Sequence, residues 1–566
     1  MTITRTDLRW NGWGPIDQPT ALPDAAPAWA MIADALGMAA PLPTTPATEL
    51  AACTLPASGL DGEMRFALER IVGANQVHTA AYERAFHARG KSYHDLLHLR
   101  GGDLSSAPDA VVYPRSADET QRLVQFADAN AVVLVPYGGG SSVVGGVTGR
   151  AGAETRLCLS VDTTLMASLL TVDHTAMTAT AQAGIYGPAL EAALAAHGVR
   201  LGHYPQSFEY STLGGWIAAR GAGQNSNRYG KAEKWLVSAH LATPTGTWRT
   251  EASPASAAGP ALTQMVAGSE GTLGIITEAT FKIRDIPDTE DYRGFLFRDF
   301  STGAEAIRRI VQADIPVSML RLSDRDETYF FRALASASAG KTPSLKDRLA
   351  ETYLRLRGYA ERPCVLLVGM EGDAAGVSQA RRRAARIIAA CQGLAVGTGP
   401  GTRWKAGRFH GPMLRDPMMD RGLGVDTLET STFWPNIEHL HACVSNALRQ
   451  AISETLEDAR QQGIVMAHIS HSYADGASLY FTFVFPRRRD GGLAGEVAQW
   501  LAIKQAASDA ILANGGTISH HHGVGTDHAA WLGQEKGPIG MRLLGAVKQS
   551  FDPNGIMNPG KLIAGS

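Results

Sequence analysis

Pro136-Tyr137-Gly138-Gly139-Gly140-Ser141-Ser142 follows directly on a short apolar run at 132–135, and this junction restricts the fold more than any other segment. Consecutive glycines accept positive φ and let the backbone approach a ligand closely. Successive N–H groups can then face a diphosphate, with the serine hydroxyls as extra donors. The segment is not a Walker loop, because no Lys-Ser/Thr follows the glycines. Nor is it the G-x-G-x-x-G that opens a Rossmann helix. On this segment alone a phosphate cradle and a flexible turn stand level.

Two further segments favour the cradle. Ser211-Thr212-Leu213-Gly214-Gly215 leads to Arg220, and Gly268-Ser269-Glu270-Gly271-Thr272-Leu273-Gly274-Ile275-Ile276 lies about fifty residues later. Small residues gathered at three separate places suit a long, flat ligand lying against bare backbone.

The surroundings predict an α+β protein. The run 109–113 before Pro114 reads as a strand, and Ser116 with Glu119 has capping-box spacing. Leu123, Phe126 and Ala127 mark the buried stripe of the helix, and 132–135 is the next strand. This is a βαβ unit, which needs a parallel pair and a right-handed crossover. Strands follow at 157–161, 178–183 and 275–283, with a helix over 188–197 that Gly198 terminates. Composition shifts near Ile286-Pro287-Asp288. Beyond it, strands at 295–297, 319–322 and 364–368 and helices at 302–312 and 377–391 start a second, α/β layer. Runs 464–471 and 478–485 read as paired strands. There Leu479, Phe481, Phe483 and Phe485 share one face, while Tyr480 and Thr482 point to the other. The last sixty residues read as a helix ending at Gly515-Gly516, a His-rich loop and an extended tail. The first hundred mix Pro- and Ala-rich stretches with short helical patterns such as 63–71, and carry no recognisable chemistry. The division is thus 1–105 (helical arm), 106–286 (cofactor half), 287–505 (substrate cap) and 506–566 (a segment completing the site and returning to the cofactor half).

A chain of 566 residues needs two or three domains. Its formal net charge of −2 supplies no field for nucleic acid, so a small molecule is the expected partner. Five scattered cysteines imply neither a disulfide framework nor a zinc knuckle, which fits a reducing compartment. No run of about 18 apolar residues predicts a transmembrane helix. Residues 1–14 lack a signal-peptide core, and Ala564-Gly565-Ser566 is not a peroxisomal address. The expectation is a cytoplasmic protein.

The ordered set Pro-x-Gly-Gly-Gly-x-Ser, Ser-Thr-Leu-Gly-Gly and Gly-Ser-Glu-Gly-Thr-Leu-Gly-Ile-Ile-Thr-Glu resembles the FAD domain of the vanillyl-alcohol oxidase superfamily. That superfamily includes the D-lactate and glycolate dehydrogenases. Within it the chain most resembles the alkyldihydroxyacetonephosphate synthase family, through Arg9-Trp10-Asn11-Gly12-Trp13-Gly14, Glu429-Thr430-Ser431, 473–483 and Ser519-His520-His521-His522-Gly523-Val524-Gly525. The resemblance implies a two-subdomain PCMH-type FAD fold with an α/β substrate cap, and a homodimer. It implies FAD as cofactor, noncovalent because the glycine loop has no His or Cys. Pro136, Gly138, Gly139, Gly140, Ser141 and Ser142 would hold the diphosphate. Ser211, Thr212, Gly214, Gly215, Glu270, Gly271, Leu273, Gly274 and Ile276 would line the rest.

By the same resemblance Tyr480 is the active-site tyrosine, Arg415 the substrate-binding arginine, and His520, His521 and His522 the histidine cluster. Arg220, His468 and His471 are further candidate substrate contacts. Arginine offers a planar fork to a carboxylate or phosphate, and a tyrosine or histidine beside a flavin can move a proton. Bland readings stand beside these: a satisfied sheet tyrosine, a surface ion pair, structural histidines. No metal is expected, because no carboxylate at ligand spacing accompanies the three histidines. Two reactions remain. The first is oxidation of a small or lipid-like anionic 2-hydroxy acid by hydride transfer to flavin N5, with Arg415 on the carboxylate. The alternative is exchange of an acyl group for a fatty alcohol through a flavin N5 adduct. The redox reading is preferred, because the synthases carry arginine where His468 stands and lysine where Thr526 stands. The tail Asp552-Pro553-Asn554-Gly555-Ile556-Met557-Asn558-Pro559-Gly560-Lys561-Leu562 also resembles the D-lactate-type enzymes.

Overall fold

The computed structural model describes residues 5–18, 26–150, 154–251, 253–339, 345–359 and 362–563, so Ala564-Gly565-Ser566 lies outside the described residues. The glycine loop leaves a four-stranded sheet ordered Val77–His78, Ala110–Val112, Cys158–Asp162, Val133–Tyr137. The Cys158–Asp162 strand runs parallel to both its neighbours. The expected βαβ unit is therefore present, with that third strand lying between its two. Its helix, Ala117–Ala129, starts where Ser116 accepts from Glu119 N. Glu119 reaches back to Arg115 N at 2.7 Å rather than to Ser116.

A second, antiparallel sheet of five strands packs beside the first, with Ile275–Lys282 at its centre. The third sheet has seven strands, antiparallel throughout, ordered Leu394–Gly397, Thr289–Phe297, Cys364–Gly372, Met319–Ser323, Ile464–Ser472, Gly476–Pro486, Leu423–Phe433. Leu479, Phe481, Phe483 and Phe485 share a core with residues of helices Phe300–Gln312, Ile437–Thr455 and Gly492–Ala513. Burying such side chains stabilises the layer by roughly 1.5–3 kcal/mol each. Alternation then places Tyr480 on the opposite face of the sheet.

The tail differs from expectation. Residues of the segment Ala529–Phe551 are helical, in two pieces joined at Gly537 with φ +67°, and Pro538 opens the second piece. Four glycines and a proline in this stretch hide the helical period. Beyond it, Met557 bridges Leu134 in parallel, and Ile556 and Met557 enter the core of the first sheet. Arg5 also reaches that sheet, where its guanidinium meets Asp162 at 3.0 Å from Nε. No helix among the described residues is long and apolar enough to cross a membrane.

Candidate active site

The glycine loop is tied down through its carbonyls and open through its amides. Arg5 donates to Gly138 O, and Lys91 N donates to Ser142 O at 2.7 Å. Among the described residues, the amides of 138–143 donate to no protein acceptor. A row of free N–H groups at a glycine loop fits an anionic diphosphate. The glycines also serve close packing: a Cβ on Gly139 would lie 2.8 Å from Ser211 Cα, and one on Gly138 would strike the Thr212 hydroxyl. Gly271, at φ +73°, lies against the Pro136 ring, where a Cβ would come within 2.8 Å. The three small-residue segments therefore meet. Leu273 and Ile276 are buried, and the Ser211 hydroxyl is engaged by Trp216 Nε1 at 2.7 Å.

Glu270 closes the cradle from the side. Val524 N and Gly525 N donate to its two carboxylate oxygens at 2.6 Å each, fastening the loop after the histidines. Burial pushes its carboxyl up to about 7, against the pull of those amides. Asn558 Nδ2 bridges Glu270 O and Gly146 O at 2.6 and 3.0 Å.

Across the molecule, the cap sheet aligns Glu429, Tyr480 and His468 side by side on three neighbouring strands. Tyr480 stacks on His468 at 4.9 Å and meets the His522 ring edge-on at 5.6 Å. His468 Nδ1 is held by Glu327 at 2.9 Å, so its ring fixes the tyrosine from behind. Burial pushes the Tyr480 phenol up to about 12 and the His522 imidazole down to about 4. Both are neutral near pH 7. A register shift between Ile469 and Ser472 marks a β-bulge that re-aims His471. His471 accordingly joins His520 and His521 around Glu429, with ring centroids 5.3 Å from both. The carboxylate missing from the local sequence thus arrives from a strand some ninety residues upstream, which removes the sequence-level argument against a metal here.

Arg415 is buried, donating to Lys91 O at 2.8 Å and lying 3.6 Å from Asp426. Its field reaches both Tyr480 and His522. Arg220 stands apart: it is exposed, with φ +54°, and donates to Gln264 at 3.1 Å. Sequence reasoning missed several neighbours. Lys504 is only 3% exposed, makes no hydrogen bond or ion pair among the described residues, and acts on His522, Asp527 and His528. Lys91 is equally enclosed, and burial brings its ammonium down to about 8. Arg5, His87 and Asp162 form a buried network under the glycine loop, although the first hundred residues had shown no chemistry. Only Glu429 carried a signal, its place in the quoted Glu-Thr-Ser motif.

With this arrangement established, the comparisons define the class. Residues 108–251 match the "FAD binding domain" family and residues 286–562 match "FAD linked oxidases, C-terminal domain". The protein is an FAD-dependent enzyme of that class. The alkyldihydroxyacetonephosphate synthase of Dictyostelium discoideum is 36% identical over 485 residues, 85% of this chain and 77% of its own length. A solved alkyldihydroxyacetonephosphate synthase superposes with a TM-score of 0.82 at 30% identity, covering 99% of this chain and 98% of that one. The structure of p-cresol methylhydroxylase, 14% identical, shares the fold with a TM-score of 0.67 over 90% of this chain and 99% of its own. The chain belongs to the alkyldihydroxyacetonephosphate synthase family. The preferred expectation of a 2-hydroxy-acid oxidoreductase is thereby corrected. It rested on two lost cations and a tail motif, and the end-to-end match to synthases outweighs them.

Proposed function

We propose that this enzyme exchanges the acyl group of an acyl-dihydroxyacetone phosphate for a fatty alcohol. The C1–acyloxy bond breaks, the C1–ether bond forms, and the alcohol's proton leaves with the fatty acid, without net oxidation. Bound FAD, held noncovalently by the glycine loop, supplies the isoalloxazine chemistry of the exchange. Neutral His522 and neutral Tyr480 form a pair able to take a proton at one ring and return it at the other. Residues 287–505 act as the cap over a lipid-like substrate.

One observation carries this reading: Lys504, a buried residue with no hydrogen bond or ion pair among the described residues, acts on His522. A cation placed there is a natural contact for a substrate phosphate. Lys504 acts on Asp527 and His528, the residues just after Thr526, where the synthases keep a lysine. A helix therefore returns to the site the charge that the loop lacks, and Arg415 adds a second cation. Homodimerisation and a cytoplasmic location belong to the same proposal, the former checked by light scattering.

The test is direct. Flavin-replete protein given acyl-dihydroxyacetone phosphate and a fatty alcohol forms the ether phosphate and one fatty acid per ether, with the flavin oxidised at the end. Lys504→Met raises KM about ten- to a hundredfold, the worth of a charge-assisted contact. Flavin-replete protein that makes no ether overturns the reading.

A further inference from the structure

The group around Glu429 is more ordered than a proton relay requires. One donor atom from each of Glu429, His471, His520 and His521 lies within 4.8 Å of all the others. His520 Nδ1 is 3.2 Å from His521 Nδ1 and 3.3 Å from Glu429 Oε1. Ligands bound at about 2.0–2.1 Å around a tetrahedral ion stand roughly 3.4 Å apart. His521 Nδ1 is pressed against the other carboxylate oxygen, Oε2.

One of the four also lacks a hydrogen bond. His471 Nδ1 is buried without a partner, in a residue only 5% exposed. A buried polar atom left unmet in such a network is costly. A cation satisfies it.

We propose that Glu429, His471, His520 and His521 bind one divalent first-row transition ion, of which Zn2+ is the type. The outer contacts agree with this assignment. Tyr473 OH lies 2.6 Å from His520 Nε2, which orients the ring with Nδ1 inward, and Ser470 Oγ donates to Glu429 Oε1 at 2.8 Å. Such partners set the tautomer and aim of metal ligands. Lys231 opposes the ion: its ammonium sits on the His520 carbonyl, with Glu233 4.0 Å away to offset it. A groove of about 670 Å³, lined by Ser431, Tyr473 and Thr517, gives access beside Tyr473.

Three histidines and a carboxylate fill a tetrahedron, so the ion ties rather than catalyses. It fastens the loop 519–522 to two strands of the cap sheet, and so sets His522 against Tyr480. The assignment holds whatever the substrate.

Co2+ is the probe, titrated into chelator-stripped, flavin-replete protein. Expected are one equivalent bound, a tetrahedral cobalt band in the difference spectrum, and its loss on adding Zn2+. Mass spectrometry of metals then finds one ion per chain, and Zn2+ raises Tm by a few degrees through linkage. Glu429→Gln and, separately, His471→Ala weaken Co2+ binding at least about a hundredfold with the flavin spectrum retained. His439→Ala, which alters a His439–Cys443 pair on another helix, leaves binding unchanged. Should His471→Ala fail to fold, the native titration and Glu429→Gln decide. Native protein that binds no stoichiometric ion, or folded Glu429→Gln that binds as tightly as native, overturns the proposal.

Discussion

The cofactor half and the cap half build their sides of the site from opposite materials. The cofactor half offers backbone: free amides at 138–143, and glycines nested where any Cβ would strike Tyr210, Ser211 or Thr212. The cap half offers side chains, with Glu429, Tyr480 and His468 aligned on three strands and the histidine loop pressed onto them. Backbone sites tolerate no added atom, because the ligand and the neighbouring chain compete for the same space. Side-chain sites tolerate no removed atom, because each group is positioned by the next. Glu270 belongs to both: its carbonyl is held by the tail and its carboxylate holds the histidine loop.

Three perturbations sharpen that contrast. The largest effect is expected from Gly139→Leu, whose side chain meets the Tyr210–Ser211 backbone. The purified protein should be colourless, with flavin content down at least about tenfold; a yellow variant would break the backbone account. Tyr480→Phe removes one oxygen from the cap and should lower kcat at least about tenfold with flavin absorbance intact. Full activity there would take Tyr480 out of the chemistry.

The smallest effect concerns Glu270. Its carboxyl titrates at about 7 in the fold, above its ordinary value of 4.5, so folding takes up a proton between those two pH values. The stability it contributes is complete below about pH 4.5 and is lost as pH rises through about 7. Thermal melts should show Tm falling by a few degrees across that interval. In Glu270→Gln the fall should vanish, and Tm should be lower at acid pH, because the amide NH2 must face Val524 N–H or Gly525 N–H. A fall that persists in the variant would assign the titration elsewhere.

The contrast also explains what could be read from residues alone. A backbone cradle must be contiguous, so Gly138 to Ser142 stood in the sequence as a unit, and the strands and helices around it carried their own periods. The cap cluster depends on register. Nothing near the three histidines announces Glu429, and alternation from Ile469 would send His471 into the core. Only the bulge before Ser472 turns it outward. Lys504 is one lysine on the helix Gly492–Ala513, and only the packing of that helix brings it to act on His522. The segment Ala529–Phe551 was hidden by Gly533, Gly537, Pro538, Gly540 and Gly545. The redox expectation has a related cause: it weighed two cations absent at fixed positions along the chain, whereas Lys504 acts on His522 from a distant helix.

The Leu134–Met557 bridge has a consequence for biosynthesis. The ribosome releases the whole cap before the tail that completes the glycine-loop sheet. A nascent chain can bury the cap's aromatic core early, while the half meant for flavin waits for its last strand partner. A chain cut short before Met557 is therefore expected to lose the bridge to Leu134 and to hold less FAD, which the flavin absorbance of a truncated variant checks.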